Sequence, residues 1–317
     1  MSRIINVAAA QLGPIQRSDT RRDVVERLLA HLRQAHAMGC QLVVFPELAL
    51  TTFFPRWYME DPVEIDAFYE SQMPGPETRV LFETARKLGI GFYLGYAELA
   101  VERGVRRRFN TSILVGQDGE IIGKYRKVHL PGHAENEPWR AFQHLEKHYF
   151  EPGASFGVWR GFGGVMGMAL CNDRRWSETY RVMGLQGVEM IMLGYNTPVH
   201  NPPAPEHDDL SMFHNHLVMQ AGAYQNGTWV VGVAKAGKEE GCEMIGGSCI
   251  IAPSGEIVAA CSTKGDELAI ARCDLDLCLS YKSTTFNFER HRRPEAYGLI
   301  TERRGALEPA PEVAITA

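Results

Sequence analysis

Short runs of almost purely apolar residues alternate along this chain with longer segments of helical periodicity. Residues 4–10, 42–45 and 165–170 have the length and uniform apolar character of strands that are buried on both faces. Residues 20–38 instead repeat apolar side chains every three or four positions, as one face of a helix does (Val24, Val25, Leu28, Leu29, Leu32 and Ala35). Strands of this kind need helices to cover them, which predicts an α/β fold.

Glycines and turn residues divide the chain into further elements. Gly39 and Gly89 are placed to end helices over residues 20–38 and 78–88. Turns at residues 117–119 and 253–255 predict two hairpins, the first marked by Asp118-Gly119. With strands at 90–97, 189–193, 228–234 and 269–273 and helices at 177–186 and 208–226, the pattern predicts about ten strands and four or five helices.

The chain shows neither an internal repeat nor a linker, so residues 1–317 are interpreted as one domain. The polar tail from about residue 298 to 317 is expected to be extended, and either to contact a neighbouring subunit or to fray.

Charge and hydropathy disfavour two classes of function. The 317 residues carry 38 acidic and 33 basic side chains, for a net charge of −5, which is unlike a nucleic-acid-binding surface. No apolar run reaches the roughly 18 residues that cross a bilayer, and the amino-terminal stretch lacks the pattern of a secretory signal. We therefore expect a cytoplasmic protein that binds neither nucleic acid nor membranes.

Among seven irregularly spaced cysteines, Cys171 has the most informative surroundings. The odd count and the absence of a C-x-x-C pair disfavour a disulfide framework or a zinc knot. Cys171 follows the apolar strand at 165–170, and active sites of α/β folds gather at such strand ends. The helix start and the two arginines nearby favour a thiolate nucleophile. The alternative, a buried structural cysteine, fits the local sequence equally well.

Glu47 and Lys127 are the other candidates for chemistry. Glu47 directly follows the apolar strand at 42–45, where desolvation would raise the pKa of its carboxyl group and suit it to move protons. Lys127 alternates with Val128 and shares a face with His129, so its ammonium could stabilise an oxyanion in a pocket. Each residue alone is also compatible with an ordinary charged surface position.

Together, the surroundings of these residues resemble the carbon–nitrogen hydrolase (nitrilase) superfamily. The resemblance lies in the order Glu, Lys, Cys and in the segments Phe45-Pro46-Glu47, Gly123-Lys124-Tyr125-Arg126-Lys127-Val128-His129-Leu130 and Cys171-Asn172-Asp173-Arg174. Within the superfamily, residues 45–57, 107–112, 171–176, 194–198 and 200–203 resemble the branch that hydrolyses N-carbamoyl-D-amino acids. The resemblance extends over about residues 4–300.

This resemblance implies a fold, a mechanism and further site residues. The fold is a four-layer α-β-β-α sandwich, and the enzyme needs no metal or cofactor. Glu146 resembles the second glutamate of the family, which helps to position Lys127 and the substrate. The mechanism is a Cys171 thioester, with Glu47 as the proton shuttle. Members assemble as homo-oligomers, so a homodimer or homotetramer is expected.

Arg174 and Arg175 indicate what the substrate carries. Arginine binds carboxylates bidentately, and two arginines beside a nucleophile suggest a substrate with a free carboxylate. The resemblance implies that this carboxylate-bearing substrate is a ureido compound. A salt bridge at a helix start is the alternative interpretation. Further hydrogen bonds to the substrate or the pocket are expected from the polar residues nearby (Asn172, Asn196, Thr197, His129 and His144).

Three rival functions stay open. Another superfamily branch, such as an amidase, a nitrilase or a β-ureidopropionase, would use the same nucleophile. A zinc amidohydrolase would instead use a histidine cluster (His200, His207, His214 and His216), although no acidic residue is placed to complete the site. A non-catalytic binding module is disfavoured because all three catalytic residue types are present. The preference for D over L substrates rests on the resemblance alone.

Overall fold

The computed structural model describes residues 2–140 and 142–309. Its strands are β1 (Ile4–Gln11), β2 (Leu42–Val44), β3 (Gly91–Glu102), β4 (Val105–Val115), β5 (Ile121–Arg126), β6 (Val158–Gly161), β7 (Gly164–Leu170), β8 (Met190–Tyr195), β9 (Trp229–Ala234), β10 (Ala236–Glu239), β11 (Cys242–Ile245), β12 (Cys249–Ile251), β13 (Ile257–Ala260) and β14 (Glu267–Asp274).

The α-helices are α1 (Arg21–Ala37), α2 (Pro62–Asp66), α3 (Arg79–Leu88), α4 (Glu146–Tyr149), α5 (Ser177–Leu185), α6 (Ser211–Asn226), α7 (Leu277–Ser283), α8 (Phe288–His291) and α9 (Gly298–Glu302). Four 3-10 turns lie at Phe54–Arg56, Cys171–Arg175, Pro205–Leu210 and Pro294–Ala296. None of the helices in the described part of the chain has the length and apolar character that crossing a membrane requires.

Two six-stranded mixed sheets form the centre of the molecule. The first has the order β14-β1-β2-β3-β4-β5 and the second the order β13-β12-β9-β8-β7-β6, while β10 and β11 form a separate hairpin. Within the first sheet β1, β2 and β3 are parallel, and within the second β7, β8 and β9 are parallel. The remaining pairs are antiparallel. Each sheet therefore has a parallel centre, whose strands end along the same edge.

Alternating side chains of the central strands pack into two different cores, which confirms the four-layer α-β-β-α arrangement. Val7 and Ala9 of β1 face the second sheet, whereas Ala8 and Ala10 face α1 and α3 on the outside. In the second sheet, Met190 and Met192 of β8 point inward, and Ile191 and Leu193 point to the outer core with α5 and α6. This period of two explains why the strands are uniformly apolar: both faces are buried.

Local sequence signals set the ends of the helices largely as expected. Thr20 caps α1 by accepting a hydrogen bond from the backbone of Asp23, whose side chain bonds back to the Thr20 backbone. Gly89 ends α3 with φ of 66°, a left-handed conformation that glycine adopts without strain.

The described residues form 14 strands and nine α-helices, whereas the sequence predicted about ten strands and four or five helices. The segments 205–226, 236–245 and 298–302 are among those that differ. The helix predicted over 208–226 begins as a 3-10 turn at Pro205–Leu210 and becomes α6 only at Ser211, because the two helix types have similar periodicity over one turn. The hairpin of β10 and β11 lacked an alternating apolar pattern and was not predicted. The tail expected to be extended from about residue 298 begins as the short helix α9, where Arg303 N–H donates to Leu299 O, and residues 310–317 of that tail lie outside the described residues.

Candidate active site

Four buried side chains converge where strands of both sheets end. Glu47 follows β2, Lys127 follows β5, Cys171 follows β7 and Glu146 begins α4. Glu47, Lys127 and Glu146 are fully buried, and Cys171 is 4% exposed. The Cys171 sulfur and one carboxylate oxygen of each glutamate lie within 4.8 Å of one another. The structure thus brings together the four residues that the sequence analysis named as catalytic.

Two glycines let the backbone of Glu47 lie between the sheets. A Cβ atom on Gly194 of β8 would be 2.4 Å from the Glu47 nitrogen, and one on Gly95 of β3 would be 2.8 Å from the Glu47 Cα. Real Cβ atoms do not approach backbone so closely, so both positions require glycine. Leu48, the next residue, has φ of 45°, so the chain turns sharply directly after the carboxylate.

Lys127 joins the two glutamates. Its ammonium donates to Glu47 Oε1 at 2.7 Å and to Glu146 Oε1 and Oε2 at 2.8 and 2.7 Å. Burial by itself would lower the pKa of Lys127, but the charge of Cys171 in its ionised form and the charges of Glu146 and Glu47 outweigh burial and raise the pKa. Lys127 is therefore a fixed cation at neutral pH, as stabilisation of an oxyanion requires.

Glu146 remains ionised in spite of its complete burial. Burial would raise the pKa of its carboxyl group, but Lys127 and the hydrogen bond and charge of His144 lower it. His144 Nε2 lies 3.1 Å from Glu146 Oε1. Two carboxylates and one ammonium leave this cluster with a net negative charge, which bears directly on the neighbouring thiol.

The thiol of Cys171 is less acidic than its sequence context suggested. Burial, followed by the charge of Glu47, raises its pKa to about 11, although Lys127 and Arg174 act in the opposite direction. The expectation that nearby positive charge favours a resting thiolate was therefore wrong, because desolvation of the sulfur dominates. The thiol needs a base at the moment of attack, and Glu47 is the adjacent carboxylate.

A tight turn presents the sulfur to the site. Cys171 has φ of 43°, a conformation that costs a residue with a side chain about 1–3 kcal/mol. Asp173 holds the turn, since one of its carboxylate oxygens accepts hydrogen bonds from Leu170 N at 3.0 Å and Tyr125 Oη at 2.6 Å. Its other oxygen accepts from the backbone of His129 at 3.0 Å. These contacts tie the nucleophile's turn to the segment that carries Lys127.

A cavity of about 960 Å³ opens beside Cys171. Five of the residues expected to bind substrate or support the pocket line it (Asn172, Arg175, Asn196, Thr197 and His144). Its walls also include apolar and aromatic groups (Phe53, Trp139, Phe142, Val199 and Met244). The cavity can therefore contact both polar and apolar parts of a small molecule.

The two neighbouring arginines have different surroundings. Arg174 is 1% exposed, and its guanidinium donates to the Cys171 carbonyl at 2.7 Å, Thr197 Oγ1 at 2.7 Å and Asn215 Oδ1 at 2.9 Å. It does not line the cavity. Arg175 does line the cavity, and among the described residues no acidic side chain pairs with it. The charge of Arg174, followed by desolvation, lowers the Arg175 pKa to about 10, so it remains a cation at neutral pH.

His129 also lies behind the cavity wall rather than in it. Its Nδ1 lies 2.9 Å from Asp173 Oδ1, and its ring stacks on Trp176 with centroids 5.2 Å apart. Asn172 Nδ2 donates to the His129 carbonyl at 3.3 Å. His129 therefore supports the turn that carries the nucleophile, whereas it was expected to contact substrate or pocket.

Sequence reasoning missed Asn110 as a site residue. It lies fully buried in β4, and its Nδ2 is 2.9 Å from Glu47 Oε1 and 3.4 Å from Glu146 Oε2. The available signal was the polar run Asn110-Thr111-Ser112, which directly precedes the apolar residues Ile113-Leu114-Val115 of the predicted strand.

The histidine cluster does not converge on a metal site in the described structure. His200 Nδ1 lies 2.7 Å from Asp208 Oδ2, His207 packs edge-on against His214, and His216 Nε2 lies 3.1 Å from the Gly247 carbonyl. Across residues 2–140 and 142–309, the only convergent set of potential metal ligands is Glu47, Glu146 and Cys171. Both of those carboxylates already bind the Lys127 ammonium.

Comparison with known proteins agrees with this geometry. The model of the family "Carbon-nitrogen hydrolase" matches residues 6–283. The N-carbamoylputrescine amidase of Arabidopsis thaliana is 30% identical over 291 residues, which cover 89% of this chain and 90% of that protein. A citrullinase of Francisella tularensis subsp. tularensis is 27% identical over 305 residues, which cover 94% of this chain and 99% of that protein.

A solved structure of a carbon-nitrogen hydrolase has a similar fold. The crystal structure of a carbon-nitrogen hydrolase from Helicobacter pylori G27 superposes with a TM-score of 0.80 at 22% identity, covering 95% of this chain and 99% of that one. The family match spans most of the chain, and the Arabidopsis relative reaches 30% identity over nearly its full length. The protein is therefore a hydrolase of carbon–nitrogen bonds other than peptide bonds, and it belongs to the carbon–nitrogen hydrolase (nitrilase) family.

Proposed function

We propose that this protein hydrolyses N-carbamoyl-D-amino acids to the D-amino acid, carbon dioxide and ammonia. The observation that carries the proposal is Arg175, a cation without an acidic partner among the described residues, in the wall of a cavity that also contains the Cys171 thiol. An arginine without an acidic partner beside a nucleophile suits a substrate with a free carboxylate. The D configuration is taken from the resemblance of the segments around Glu47, Cys171 and Asn196.

The first half of the reaction forms a thioester. Glu47 takes the proton of Cys171 as the sulfur attacks the ureido carbonyl carbon. Lys127 and the backbone N–H of Asn172, near the start of a 3-10 turn, stabilise the oxygen that becomes negative. Glu47 then gives the proton to the amino-acid nitrogen, the carbon–nitrogen bond breaks, and the amino acid leaves.

The second half regenerates the thiol. Glu47 takes a proton from a water molecule, which attacks the carbonyl of the carbamoyl thioester. The carbon–sulfur bond breaks, Glu47 returns the proton to the sulfur, and carbamate is released. Carbamate then decomposes to carbon dioxide and ammonia. Glu47 thus acts as the base in both half-reactions. Its burial beside the Lys127 cation keeps it in place for both.

A second candidate is hydrolysis of an N-carbamoyl amine, because the Arabidopsis relative is an N-carbamoylputrescine amidase. A substrate with a distant ammonium would need an acidic group in the cavity, and Glu243 is an exposed acid in its wall. Arg175, four residues after Cys171, is a cation in the same cavity wall and would repel such a substrate. Other carboxylate-bearing amides and β-ureido acids remain alternatives within the same reaction.

A substrate panel distinguishes these candidates. It contains N-carbamoyl-D-amino acids, their L forms, N-carbamoyl-β-alanine, N-carbamoylputrescine and simple nitriles, with ammonia release as the measurement. We expect the highest kcat/KM for the D ureido acids. Turnover of N-carbamoylputrescine but not of any ureido acid would contradict the proposal and favour the second candidate.

The role of Arg175 is tested separately. Arg175→Gln should raise KM for ureido acids about tenfold or more and change kcat less, because it removes a contact to an unreacting part of the substrate. Arg140→Gln is the matched control, since Arg140 also lines the cavity but is paired with Glu137. An equal increase of KM in both variants would contradict the proposal that Arg175 binds the substrate carboxylate.

We also propose that the protein works as a homodimer or homotetramer. The outer face of α6 and the turn before it expose large apolar side chains, at 44% for Leu210, 59% for Phe213 and 47% for Leu217. Such a surface is typical of contacts between subunits. Light scattering after size-exclusion chromatography should give a mass of two or four times 35.4 kDa, and a monomer would contradict the proposal.

A further inference from the structure

Each oxygen of the Glu47 carboxylate accepts hydrogen bonds from two donors. Oε1 accepts from Lys127 at 2.7 Å and from Asn110 Nδ2 at 2.9 Å. Oε2 accepts from the backbone and side-chain nitrogens of Asn196 at 3.0 and 3.3 Å. The base of the proposed reaction is thus held in one orientation by donors from three different segments.

Asn110 differs from Asn196 in what else it contacts. Its Nδ2 also lies 3.4 Å from Glu146 Oε2, so its single amide group reaches both carboxylates that bind Lys127. The Nδ2 of Asn196 instead bonds to the Glu47 backbone carbonyl and to the Glu47 carboxylate. Among the described residues, Asn110 is the neutral side chain that bridges the two glutamates.

The position of the Asn110 amide carries a cost in folding free energy. Its Oδ1 is buried and has no hydrogen-bond partner among the described residues. Leaving a buried acceptor without a partner costs about 1–3 kcal/mol. The amide cannot rotate by 180° to exchange Oδ1 and Nδ2. Nδ2 faces two carboxylates, and only an NH₂ group can donate hydrogen bonds to them. The benefit must therefore come from the two bonds that Nδ2 makes.

We propose that Asn110 is a positioning residue that holds Glu47 and Glu146 as a fixed pair around Lys127, with Glu47 turned to serve Cys171. Two carboxylates that share one ammonium repel each other, and a neutral donor between them reduces that repulsion without adding charge. Its backbone carbonyl accepts from Lys127 N at 2.8 Å, so the same residue also fixes the chain that carries the ammonium. The role rests on the catalytic assignment of Glu47 and Cys171 in the proposed function.

The expected consequence is a change in how the site responds to pH. Hydrogen bonds to an ionised carboxylate stabilise its ionised form, so loss of the Asn110 amide should destabilise the ionised pair. Reaction of Cys171 that depends on the ionised pair should then be lost at a higher pH than in the unaltered protein. The other titratable groups that face the pair are unchanged in the variant (Lys127, Cys171, His144, Lys235, Tyr69 and Tyr93).

The test is the pH dependence of Cys171 alkylation by iodoacetamide, followed by intact-protein mass. This readout needs no substrate, so it is independent of which ureido compound the enzyme prefers. Asn110→Leu keeps the volume and the backbone carbonyl but removes the donor. We expect the acid limb of the alkylation profile to move up by about one pH unit and kcat on the best substrate to fall about tenfold, with KM changing less.

Thr111→Val is the matched control. Thr111 is the next residue of β4, is equally buried, and also donates to a carboxylate, but its partner is Glu98 on the other side of the strand, at 2.8 Å. It should leave the acid limb where it is. An acid limb that moves equally in both variants, or in neither, would overturn the proposal. If Asn110→Leu does not fold, as judged by circular dichroism, Asn110→Ala gives the same comparison. Failure of the whole substrate panel alongside a shifted acid limb would refute the proposed substrate and leave Asn110's role intact.

Discussion

At the scale of residues, the carboxylate of Glu47 has two effects on the thiol of Cys171. It makes the thiol less acidic, and it is the group proposed to accept the thiol proton. Burial, followed by the charge of Glu47, raises the Cys171 pKa to about 11, so the resting sulfur is protonated. In the proposed reaction the same carboxylate, one oxygen of which lies within 4.8 Å of the sulfur, is the base. The resting thiol is therefore neutral, and in the proposed reaction it becomes nucleophilic only as its proton moves to Glu47. Lys127, which bonds to Glu47, remains a cation throughout.

The nucleophile itself gives the most direct prediction. Cys171→Ala and Cys171→Ser should abolish turnover while leaving the thermal unfolding midpoint within a few degrees, because the side chain is small and its sulfur makes only long hydrogen bonds, to the Asn196 carbonyl at 3.6 Å and from Arg174 Nη1 at 3.8 Å. Ammonia release and circular dichroism measure the two effects. Full activity in the alanine variant would exclude Cys171 as the nucleophile.

Replacing the base should make the thiol more acidic while stopping turnover. Glu47 raises the Cys171 pKa, so Glu47→Gln removes that contribution and the pKa should fall below about 11. In this variant the rate of Cys171 alkylation near neutral pH should be lower than in the unaltered protein, because the base is missing. The rate should then increase with pH as a single titration curve, whose midpoint is below about 11.

The control for this prediction is Glu178→Gln, which removes an exposed acid near the same turn. It should leave both the alkylation curve and the turnover number unchanged. A Glu47→Gln thiol that is no more acidic than that of the unaltered protein would show that burial alone sets the Cys171 pKa.

At the scale of elements, the catalytic groups depend on how closely strands and turns approach each other. Gly194 of β8 contacts the backbone of Glu47, and Asp173 ties the Cys171 turn to the segment of Lys127. These contacts cross from one sheet to the other. The geometry of the site is therefore a property of paired elements, and a methyl group at the wrong place can disturb it.

Gly194→Ala tests this dependence. The new Cβ would lie 2.4 Å from the Glu47 nitrogen, and backbone on both sides prevents relief by a side-chain rotation. We expect a loss of stability of about 2–3 kcal/mol in urea unfolding, together with a loss of most activity.

Gly265→Ala is the matched control, because a Cβ at that position meets nothing within 4 Å. It should unfold at the same urea concentration as the unaltered protein. Equal stability of the two alanine variants would show that Glu47 has room to move away from β8.

At the scale of the whole molecule, the inner faces of the two sheets form the core that sets the distance between Glu47 and Cys171. Tyr93 of β3 crosses this core: its hydroxyl donates to the Ala169 carbonyl of β7 at 2.8 Å and accepts from Gly194 N at 3.2 Å. One buried side chain of the first sheet thus binds two parallel strands of the second, close to the ends that carry the nucleophile.

Tyr93→Phe should weaken this connection. It leaves a buried N–H and a buried carbonyl without a partner, so we expect a loss of about 1–3 kcal/mol of unfolding free energy and a smaller reduction of kcat. Tyr281→Phe is the control, since the Tyr281 hydroxyl makes no hydrogen bond with the described residues and this variant should be neutral. Equal stability of the two variants would mean that apolar packing alone holds the sheets in register.

Local sequence was sufficient for most of the longer elements and for placing Glu47, Lys127 and Cys171 near strand ends, whereas the β10–β11 hairpin and Asn110 were not recognised. Uniformly apolar strands, helical periodicity and capping residues such as Thr20 and Gly89 act over a few neighbouring residues, so they can be recognised in the sequence. Glu47, Lys127 and Cys171 were identified because each stands in a characteristic segment near the end of a strand. The four layers were implied by the family resemblance, and the sequence patterns alone were compatible with other packings.

Only the tertiary structure decided the charges and contacts at the site. It separated Arg174, which holds the nucleophile's turn, from Arg175, which faces the cavity, and it placed Asn110 between two glutamates. It also reversed the expected acidity of Cys171. These outcomes depend on desolvation and on through-space distances between residues far apart in the chain, and neither is encoded in a residue's neighbours along the sequence.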